Sequence, residues 1–445
     1  MHNQIQNHSH HKTIAEYVIV GAGPAGICAI ASLLKNGVSS NDITWIDPQF
    51  NVGDFGTILS VGSSVPGNTN VESYQKVNGE IYKTVPICAP ENYQQFEIDN
   101  LSSKFVCSLK TAAEPLRYIT NRLRRVVLSI VGRAINIFMV QEGARLVIKL
   151  SDTSFKSIIA KRIILATGAH AKTLELPLQH KQIVMIDPNT TFIRTELAEY
   201  LRKNPNVKTV AVIGSSHSAA LATMHLLKSG VTVKQFMDKE YKYAIPCVAP
   251  DGTQYTKYDN TGLKGDVAKF TKQLLDPINS YGNEYKGRLE LYIGKNRQET
   301  NQLLEKYLFG CSHAVATIGY EMSNTLQINN MPLSRFSYNN KTTEFNEVKG
   351  LFGIGIAFPQ AVTSISGELE LAVGVGKFWA TVNNPDVIEI WKKNPVATFY
   401  NSKIISHLPN LDYSYNDSGF SKCPLTQKQQ ASTFRNPQFQ IESKL

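Results

Sequence analysis

The fold is decided by one stretch, Tyr17-Val18-Ile19-Val20-Gly21-Ala22-Gly23-Pro24-Ala25-Gly26, in which an apolar segment leads directly into a glycine cluster. The residues that follow, from Ile27 to Leu34, are again almost entirely apolar. This order of apolar run, small-residue turn and apolar run predicts a buried parallel strand, a tight turn and a helix. This strand–turn–helix unit is the reference for the predictions about the rest of the chain.

The small residues of this turn are those that a dinucleotide site needs. Gly21 permits the sharp bend, Gly23 lets the backbone approach a pyrophosphate, and Gly26 lets helix and strand pack closely. Pro24 and Ala25 begin the helix, whose unpaired N–H groups would face the phosphates. The turn therefore predicts a dinucleotide site, and the alternative is a glycine-rich turn that binds nothing.

An acidic residue completes this first signal. The apolar strand Ile43-Thr44-Trp45-Ile46 ends in Asp47, about 20 positions beyond the last glycine, where a carboxylate would accept a hydrogen bond from the ribose of an adenine dinucleotide. A long polar connection follows, from Pro48 to Asn78, and it is either a functional loop or an ordered surface loop.

Length, composition and cysteine spacing limit the class of protein. With 445 residues, 42% hydrophobic and 18% charged, the chain has the composition of a soluble globular protein of two or three domains. The first residues hold four histidines and no apolar core of a signal peptide, and no stretch has the ~20 apolar residues of a transmembrane helix. We therefore expect a cytoplasmic protein without an integral membrane segment.

The six cysteines are too scattered for a disulfide framework, a zinc site or a vicinal dithiol, so we predict no metal site. They are Cys28, Cys88, Cys107, Cys247, Cys311 and Cys423. The net charge of +10 includes a basic group on a helix predicted from about Ala112 to Ser129. That group, Arg117, Arg122, Arg124 and Arg125, is either a solvated face or a patch for an anionic partner. No nucleic-acid-binding signature is present.

The opening pattern occurs a second time. Thr209 to Ile213 is an apolar run, Gly214-Ser215-Ser216-His217-Ser218 is a small-residue turn, and Ala219 to Leu227 continues as a helix. We predict that Gly214, Ser215, Ser216 and Ser218 bind a second dinucleotide, with serine at 216 where glycine is usual. His217 would donate to a phosphate or cap the helix. Two dinucleotides in one chain suggest hydride transfer.

The ribose-binding position of the second site is occupied differently. The strand that follows the turn ends in Phe236-Met237-Asp238-Lys239, and the position equivalent to an acid falls at Met237. A missing acid beside a lysine favours the 2′-phosphate of NADPH over NADH.

The remaining segments complete a domain plan. Three strands in a meander, 134–140, 145–150 and 157–165, lead into Ala166-Thr167-Gly168, and Gly350 to Ala357 forms a later strand with a glycine turn, followed by a helix over 367–382. The predicted divisions are a flexible tail (1–15), a first domain (16–203), a second domain (204–325, with a tyrosine-rich insert over 241–306), a return segment to the first domain (326–385) and a C-terminal extension (386–445).

The order of these motifs resembles the flavoproteins with two dinucleotide-binding domains, the pyridine nucleotide-disulfide oxidoreductases and flavin-containing monooxygenases. The resemblance covers about residues 15 to 385. It implies an α/β fold of two Rossmann-like domains, the FAD domain discontinuous and carrying a small β-meander. FAD would be held by the first turn and Asp47, by Thr167 and Gly168 in the linker, and by Gly355 in the return segment.

The resemblance also limits the chemistry. The disulfide reductases carry a redox cysteine pair and an Asp after the last glycine of the return motif, whereas this chain has no such pair and has Ile356 there. It therefore implies an FAD-dependent oxidoreductase of monooxygenase or N-hydroxylase type, in which NADPH (or NADH) reduces the flavin and a small substrate is oxidised. No catalytic side chain is assigned. One alternative is a reductase or dehydrogenase that passes electrons to a quinone or protein acceptor, and another is a non-catalytic nucleotide-binding module. The oligomeric state is left open.

Overall fold

The computed structural model describes residues 14–56, 66–92, 94–102, 106–276, 284–285, 287–323, 325–363, 365, 367 and 369–396, with the backbone alone at 66–70 and 106. These residues belong to one compact unit. The strands are β1 Ile14–Val20, β2 Ile43–Asp47, β3 Pro66–Asn70, β4 Val106–Ser108, β5 Leu128–Val131, β6 Arg133–Val140, β7 Gly143–Lys149, β8 Phe155–Leu165, β9 Ala169–Ala171, β10 Val184–Met185, β11 Thr209–Ile213, β12 Thr232–Met237, β13 Ile245–Val248, β14 Gln254–Lys257, β15 Leu289–Ile293, β16 His313–Ala316, β17 Tyr320–Met322, β18 Gln327–Ile328, β19 Met331–Pro332, β20 Glu344–Phe345, β21 Val348–Gly353, β22 Gln360–Thr363 and β23 Leu369–Ala372. The helices are α1 Pro24–Lys35, α2 Val71–Thr84, α3 Leu109–Leu123, α4 Pro188–Phe192, α5 Arg194–Lys203, α6 His217–Lys228, α7 Gly265–Leu275, α8 Arg297–Tyr307, α9 Val375–Val382 and α10 Pro385–Lys393.

The first sheet has a parallel part with the order β5-β2-β1-β8-β21. Strand β8 is long enough to pair with two strands along one edge. Its first half pairs antiparallel with β7, and its last residues pair parallel with β21. Strands β6, β7 and β8 form the predicted meander. Because β21 joins this sheet after the chain has built a second domain, the first domain is discontinuous, as predicted.

The parallel strands are buried on both faces, which is why they consist of unbroken apolar residues. On one face Ile19 and Trp45 pack against α1, α2, α3, α9 and α10. On the other face Val18 and Ile163 pack against the meander and the return segment, with Phe345 among the fully buried side chains. The opening strand thus fills two cores at once.

The second sheet is entirely parallel, with the order β10-β16-β11-β12-β15. Helix α6 covers one face through residues such as Leu226, and α8 covers the other through Leu304. The chain passes between the domains along two adjacent strands, since β9 on the way out pairs antiparallel with β17 on the way back. The predicted class, two Rossmann-like α/β domains, is confirmed.

Several predicted boundaries are corrected by the structure. Ile14 and Ala15 belong to β1, and residues 1–13 of the predicted tail lie outside the described residues. Helix α2 begins at Val71, inside the segment expected to be a loop, and α3 runs from Leu109 to Leu123 rather than to Ser129. The predicted helix over 367–382 is helical from Val375 only, because Leu369–Ala372 forms a hairpin strand with β22.

The division into domains also differs from the prediction. Ile186, Ile193 and Leu197 pack in the core of the second domain, so its contacts begin before residue 204. Leu289–Ile293, within the predicted insert, pairs with β12 as the edge strand of the parallel sheet. The predicted C-terminal extension contains α10, whose Trp391 is fully buried in the first core, while 397–445 lie outside the described residues.

Candidate nucleotide sites

The first turn has a backbone that only glycine fits at two positions. Gly21 has φ +110°, and a Cβ there would lie 2.2 Å from the carbonyl oxygen of Ala166. A Cβ on Gly26 would lie 2.1 Å from the carbonyl oxygen of Gly21. Gly21 also donates its N–H to the Ile46 carbonyl at 2.8 Å. These contacts hold strand, turn and helix α1 in close packing.

Gly23 differs from both, because its surroundings are open. It caps α1 with extended backbone (φ −75°, ψ 178°), and among the described residues other than 22–24 no atom lies within 4 Å of the position that a Cβ would take. The next residues, Pro24 and Ala25, form the first turn of α1, where backbone N–H groups have no partner within the helix. An open space at a helix N-terminus fits a phosphate.

Asp47 is buried and organises the loop that follows it. Its Oδ2 accepts the N–H of Ala22 at 2.8 Å, and its Oδ1 accepts those of Gln49 at 2.8 Å and Phe50 at 2.6 Å. A carboxylate has about four lone-pair sites. The three backbone bonds therefore leave one site for a ribose hydroxyl.

Two aromatic residues that pack beside this turn, Trp45 and Phe50, were not predicted from the sequence. Trp45, fully buried, donates its Nε1–H to the Gly21 carbonyl at 2.9 Å and packs edge-on against Phe50, with ring centroids 4.9 Å apart. Phe50 has φ +53° and Val52 has φ +61°, a region that side-chain-bearing residues rarely adopt. Arg124, from the predicted basic group, lies over the Phe50 ring at 4.5 Å. The signal available in the sequence was the position of Trp45 on β2, two residues before Asp47.

The second turn repeats the first with almost the same backbone. Gly214 has φ +140°, a Cβ there would lie 2.5 Å from the Thr317 carbonyl oxygen, and its N–H bonds to Phe236 at 2.9 Å. Ser216 is the N-cap residue of α6 with extended backbone (φ −101°, ψ −177°), so it occupies the place of Gly23. Its hydroxyl makes no capping bond to the helix.

Strand register decides which residue stands in place of the first acid. Val20 is opposite Ile46 in the first sheet, and Ile213 is opposite Phe236 in the second. The next residue on each second strand is Asp47 in the first case and Met237 in the second, as the sequence indicated. Asp238, one position further, accepts a hydrogen bond from the Ser215 hydroxyl.

His217 is the first residue of α6, and neither ring nitrogen has a hydrogen-bond partner among the described residues although both are buried. Burial, together with the nearby Lys264 ammonium, lowers the pKa of His217 to about 4, so the ring is neutral at pH 7. Neither nitrogen caps the helix. Buried polar atoms without partners are rare in folded proteins, so the ring has a donor available beside the second turn.

The linker residues lie where the chain crosses between domains. Ala166 donates its N–H to the Val20 carbonyl at 2.8 Å, and the buried hydroxyl of Thr167 has no hydrogen-bond partner in the part of the chain that the structure describes. Gly168 has φ +68° and leads into β9. Burial raises the pKa of Tyr320 on the returning strand β17, and the Ser218 hydroxyl opposes this shift.

The return segment reaches the first turn from the other side. Gly355 has φ +92°, and a Cβ there would lie 2.8 Å from the Ala25 Cβ at the start of α1. Ile356, which stands in place of the family's Asp, is 40% exposed. The structure therefore brings Gly355 together with the first turn.

The described cysteines form no disulfide. Cys28, Cys88, Cys107 and Cys311 are buried, and burial raises the pKa of Cys88 to about 12. Such thiols are protonated at pH 7 and react slowly. Within the described residues, no group of three His, Cys, Asp or Glu side chains could hold a metal ion. In the same part of the chain, no helix is long and apolar enough to cross a bilayer.

These features define a protein with two dinucleotide-binding domains, the first of them interrupted by the second. A family model described as pyridine nucleotide-disulphide oxidoreductase matches residues 15–244, which is more than half of the chain. The chain belongs to this oxidoreductase family.

Three individual proteins are similar to it. The monooxygenase AgnR1 of Paecilomyces divaricatus is 28% identical over 383 residues, covering 81% of this chain and 94% of that protein. An ornithine N-hydroxylase of Kutzneria sp. 744 has a TM-score of 0.52 at 11% identity, covering 86% of this chain and 99% of the other. A bacillithiol disulfide reductase of Bacillus cereus has a TM-score of 0.50 at 15% identity, covering 86% and 100%. At these identities the two structures show a shared fold.

Proposed function

We propose that this protein is an FAD-dependent oxidoreductase of monooxygenase type that uses NADPH to oxidise a small molecule. The observation that carries the proposal is the pair of turns at Gly21 and Gly214, which share one backbone geometry in a single chain. The similarity to a monooxygenase, which extends over 94% of that protein, supports oxygenase rather than reductase activity. The Kutzneria hydroxylase, solved with reduced FAD, NADP+ and L-ornithine, supports the pair of cofactors.

The first site fits FAD. Gly23, Pro24 and Ala25 leave open space at a helix N-terminus for the pyrophosphate, and Asp47 retains a lone pair for the ribose. The unpartnered Thr167 hydroxyl lies next to the linker glycine Gly168 and is available to a flavin. Gly26 and Gly355 keep the surrounding backbone close.

The second site fits NADPH. Ser215, Ser216 and Ser218 place hydroxyl groups around the helix N-terminus that follows Gly214. Met237 replaces the acid that would accept from a 2′-hydroxyl, and Lys239 follows two positions later. A cation with no acid at that position favours a 2′-phosphate.

The two nucleotides supply the redox chemistry, NADPH as hydride donor and FAD as the carrier of electrons to dioxygen. The protein binds and orients them and excludes water. Dithiol chemistry is disfavoured, because the described cysteines are unpaired and mostly buried. An apolar Ile356 also replaces the Asp that the disulfide reductases carry in the return motif.

The test is the absorbance spectrum of the purified protein under anaerobic conditions, before and after NADPH or NADH is added. The proposal predicts a bound flavin that NADPH bleaches faster than NADH. A protein without bound flavin, or a flavin that neither nucleotide bleaches, contradicts it. In air, oxygen uptake that yields only peroxide with every substrate tried would favour a reductase that passes electrons to another acceptor.

A further inference from the structure

A polar cluster joins the second domain to the return segment of the first. It comprises Asp259, Asn260 and Lys264 from the segment between β14 and α7, Glu370 from β23 and Lys377 from the first turn of α9, and we name it the interdomain clamp. No clamp residue belongs to either nucleotide turn, so nucleotide binding at the turns does not account for the clamp.

Glu370 is the most buried member, with 7% of its surface exposed. One carboxylate oxygen accepts the backbone N–H of Asn260 at 3.1 Å and the side-chain amide of Asn260 at 2.8 Å. The other accepts the hydroxyl of Thr261 at 3.1 Å. A buried carboxylate is costly unless it is satisfied, so this residue strongly specifies where segment 259–261 lies.

Asp259 makes the second half of the clamp by bridging two lysines. Its two oxygens accept from Lys264 and Lys377, each at 2.5 Å. Lys377 also donates to the side-chain oxygen of Asn260. Burial would raise the pKa of Asp259, but the two lysines outweigh burial and the pKa is lowered. The charged arrangement is therefore favoured at neutral pH.

The clamp is connected to the second nucleotide turn. Burial and, to a smaller extent, the Lys264 ammonium lower the pKa of His217, the first residue of α6. Leu263, next to Lys264, donates its N–H to the Lys242 carbonyl at 2.8 Å. Tyr241, the residue before Lys242, accepts from the Gln235 side chain at 2.5 Å, and Gln235 also donates to the Gly214 carbonyl at 3.2 Å. A shift of this segment would therefore be transmitted to the turn.

The clamp is also connected to the first turn. Lys377 stands in α9, whose Val375 and Trp379 pack in the same core as Ile27 of α1. Helix α1 begins at the first turn. Hydrogen bonds and core packing thus connect the second turn, through the clamp, to the helix that begins at the first turn.

We propose that the interdomain clamp sets the position of the second nucleotide turn relative to the first, so that Glu370 and Lys377 are positioning residues for hydride transfer. This rests on the proposed function. Hydride transfer requires reacting atoms about 3–3.5 Å apart, and a misplacement of 1 Å can cost about 100-fold in rate. Neither residue contacts a turn directly, so removing either should lower the limiting rate and leave nucleotide affinity unchanged.

The experiment compares Glu370→Ala and Lys377→Met with two controls in the holoenzyme. The control for Lys377 is Lys269→Met, since Lys269 forms an exposed pair with Asp266 at 3.9 Å in the second domain. The control for Glu370 is Glu389→Ala, which removes an exposed pair within α10. Lys377→Arg tests rescue by a retained charge. Bound FAD and thermal unfolding establish that each variant is folded.

Two readouts are measured. Hydrogen–deuterium exchange in the peptide that contains Asn260 should accelerate by at least about tenfold in the two clamp variants, because the Asn260 amide loses its acceptor or its neighbour. The limiting rate of anaerobic flavin reduction by NADPH should fall by at least about tenfold, with the half-saturating NADPH concentration within about twofold of wild type. The controls and Lys377→Arg should match wild type in both.

Unchanged exchange, or faster exchange with an unchanged limiting rate, would overturn the proposal while the proposed function stands. A rise in the half-saturating concentration without loss of limiting rate would also overturn it, because that result assigns the clamp to binding. If NADPH does not reduce the wild-type flavin, the proposed function fails and this inference fails with it.

Discussion

The separate tasks of the glycines in the first turn can be tested with a matched pair of substitutions, Gly23→Ala and Gly26→Ala. Both add one methyl group, and the positions lie three residues apart. Apart from its chain neighbours, no described residue has an atom within 4 Å of a Cβ at position 23, whereas one at position 26 would lie 2.1 Å from the carbonyl oxygen of Gly21. The first methyl therefore occupies the space expected for phosphate, and the second collides with the protein itself.

The expected stabilities of the apoprotein follow from these contacts. At Gly23, alanine is a poorer N-cap by about 0.5–1 kcal/mol but restricts the unfolded chain by a similar amount, so stability should stay within about 1 kcal/mol of wild type. At Gly26, backbone overpacking of about 3 kcal/mol is offset by about 1 kcal/mol of helix propensity, which leaves a loss of about 2 kcal/mol. Thermal and denaturant unfolding of the apoprotein measure both.

For FAD affinity, the larger loss is expected in Gly23→Ala. Displacing the pyrophosphate from one charge-assisted hydrogen bond costs about 1.5–3 kcal/mol, which weakens binding about 10- to 100-fold in Gly23→Ala. Titration of apoprotein with FAD, followed by flavin fluorescence, gives the dissociation constant. A Gly23→Ala protein that binds FAD within twofold of wild type would refute the placement of the pyrophosphate. A Gly26→Ala apoprotein as stable as wild type would refute the packing argument.

Three further predictions concern protons, nucleotide choice and cysteines. Burial lowers the pKa of His225 from 6.5 to about 4, so as the pH falls this histidine is protonated first in the unfolded chain. The free energy of unfolding should therefore fall by up to about 3 kcal/mol between about pH 6.5 and pH 4. His225→Gln should flatten this part of the pH–stability curve, and an unchanged slope would contradict the assignment. Met237→Asp combined with Lys239→Ala should shift the ratio of kcat/KM for NADPH over NADH towards NADH by at least about tenfold, and a ratio that does not move would remove the basis for NADPH. Replacing Cys88 and Cys107 together by alanine should leave NADPH-driven flavin reduction within about twofold of wild type, because burial keeps both thiols protonated, and a large loss would revive a redox role.

The two nucleotide turns were predictable because their constraints are local. A strand, a bend and a helix start are encoded within a dozen residues, and Gly21 and Gly214 have the positive φ that the pattern requires. The register that makes Met237 the equivalent of Asp47 in the first site also follows from counting along one strand. The meander was readable for a similar reason, since each strand pairs with its sequence neighbour.

Edge strands and distant pairings were not predictable. Leu289–Ile293 is half-exposed and mixes polar with apolar residues, so nothing in it distinguishes a sheet edge from a surface insert. Val184–Met185 is too short to give any pattern, yet it extends the second sheet. Trp391 is buried against the first domain, a contact that no local pattern in a polar C-terminal segment reveals. The bond between Glu370 and Asn260 spans 110 residues and has the same limit.

A comparison of the two turns separates the residues that shape the backbone from those that would contact a nucleotide. The features that shape the backbone are common to both, namely the positive-φ glycine and the N–H bond it donates to the neighbouring strand. The differences fall on the face that a nucleotide would meet, where Ser216 replaces Gly23 and Met237 replaces Asp47. A carboxylate persists in the second turn, but it belongs to Asp238 and is engaged by a serine hydroxyl instead of a backbone N–H. Because this acid lies one residue later, the position equivalent to Asp47 is apolar and lies two residues before Lys239. If the two turns bind nucleotides as proposed, these substitutions select a different nucleotide at each without any change in the supporting fold.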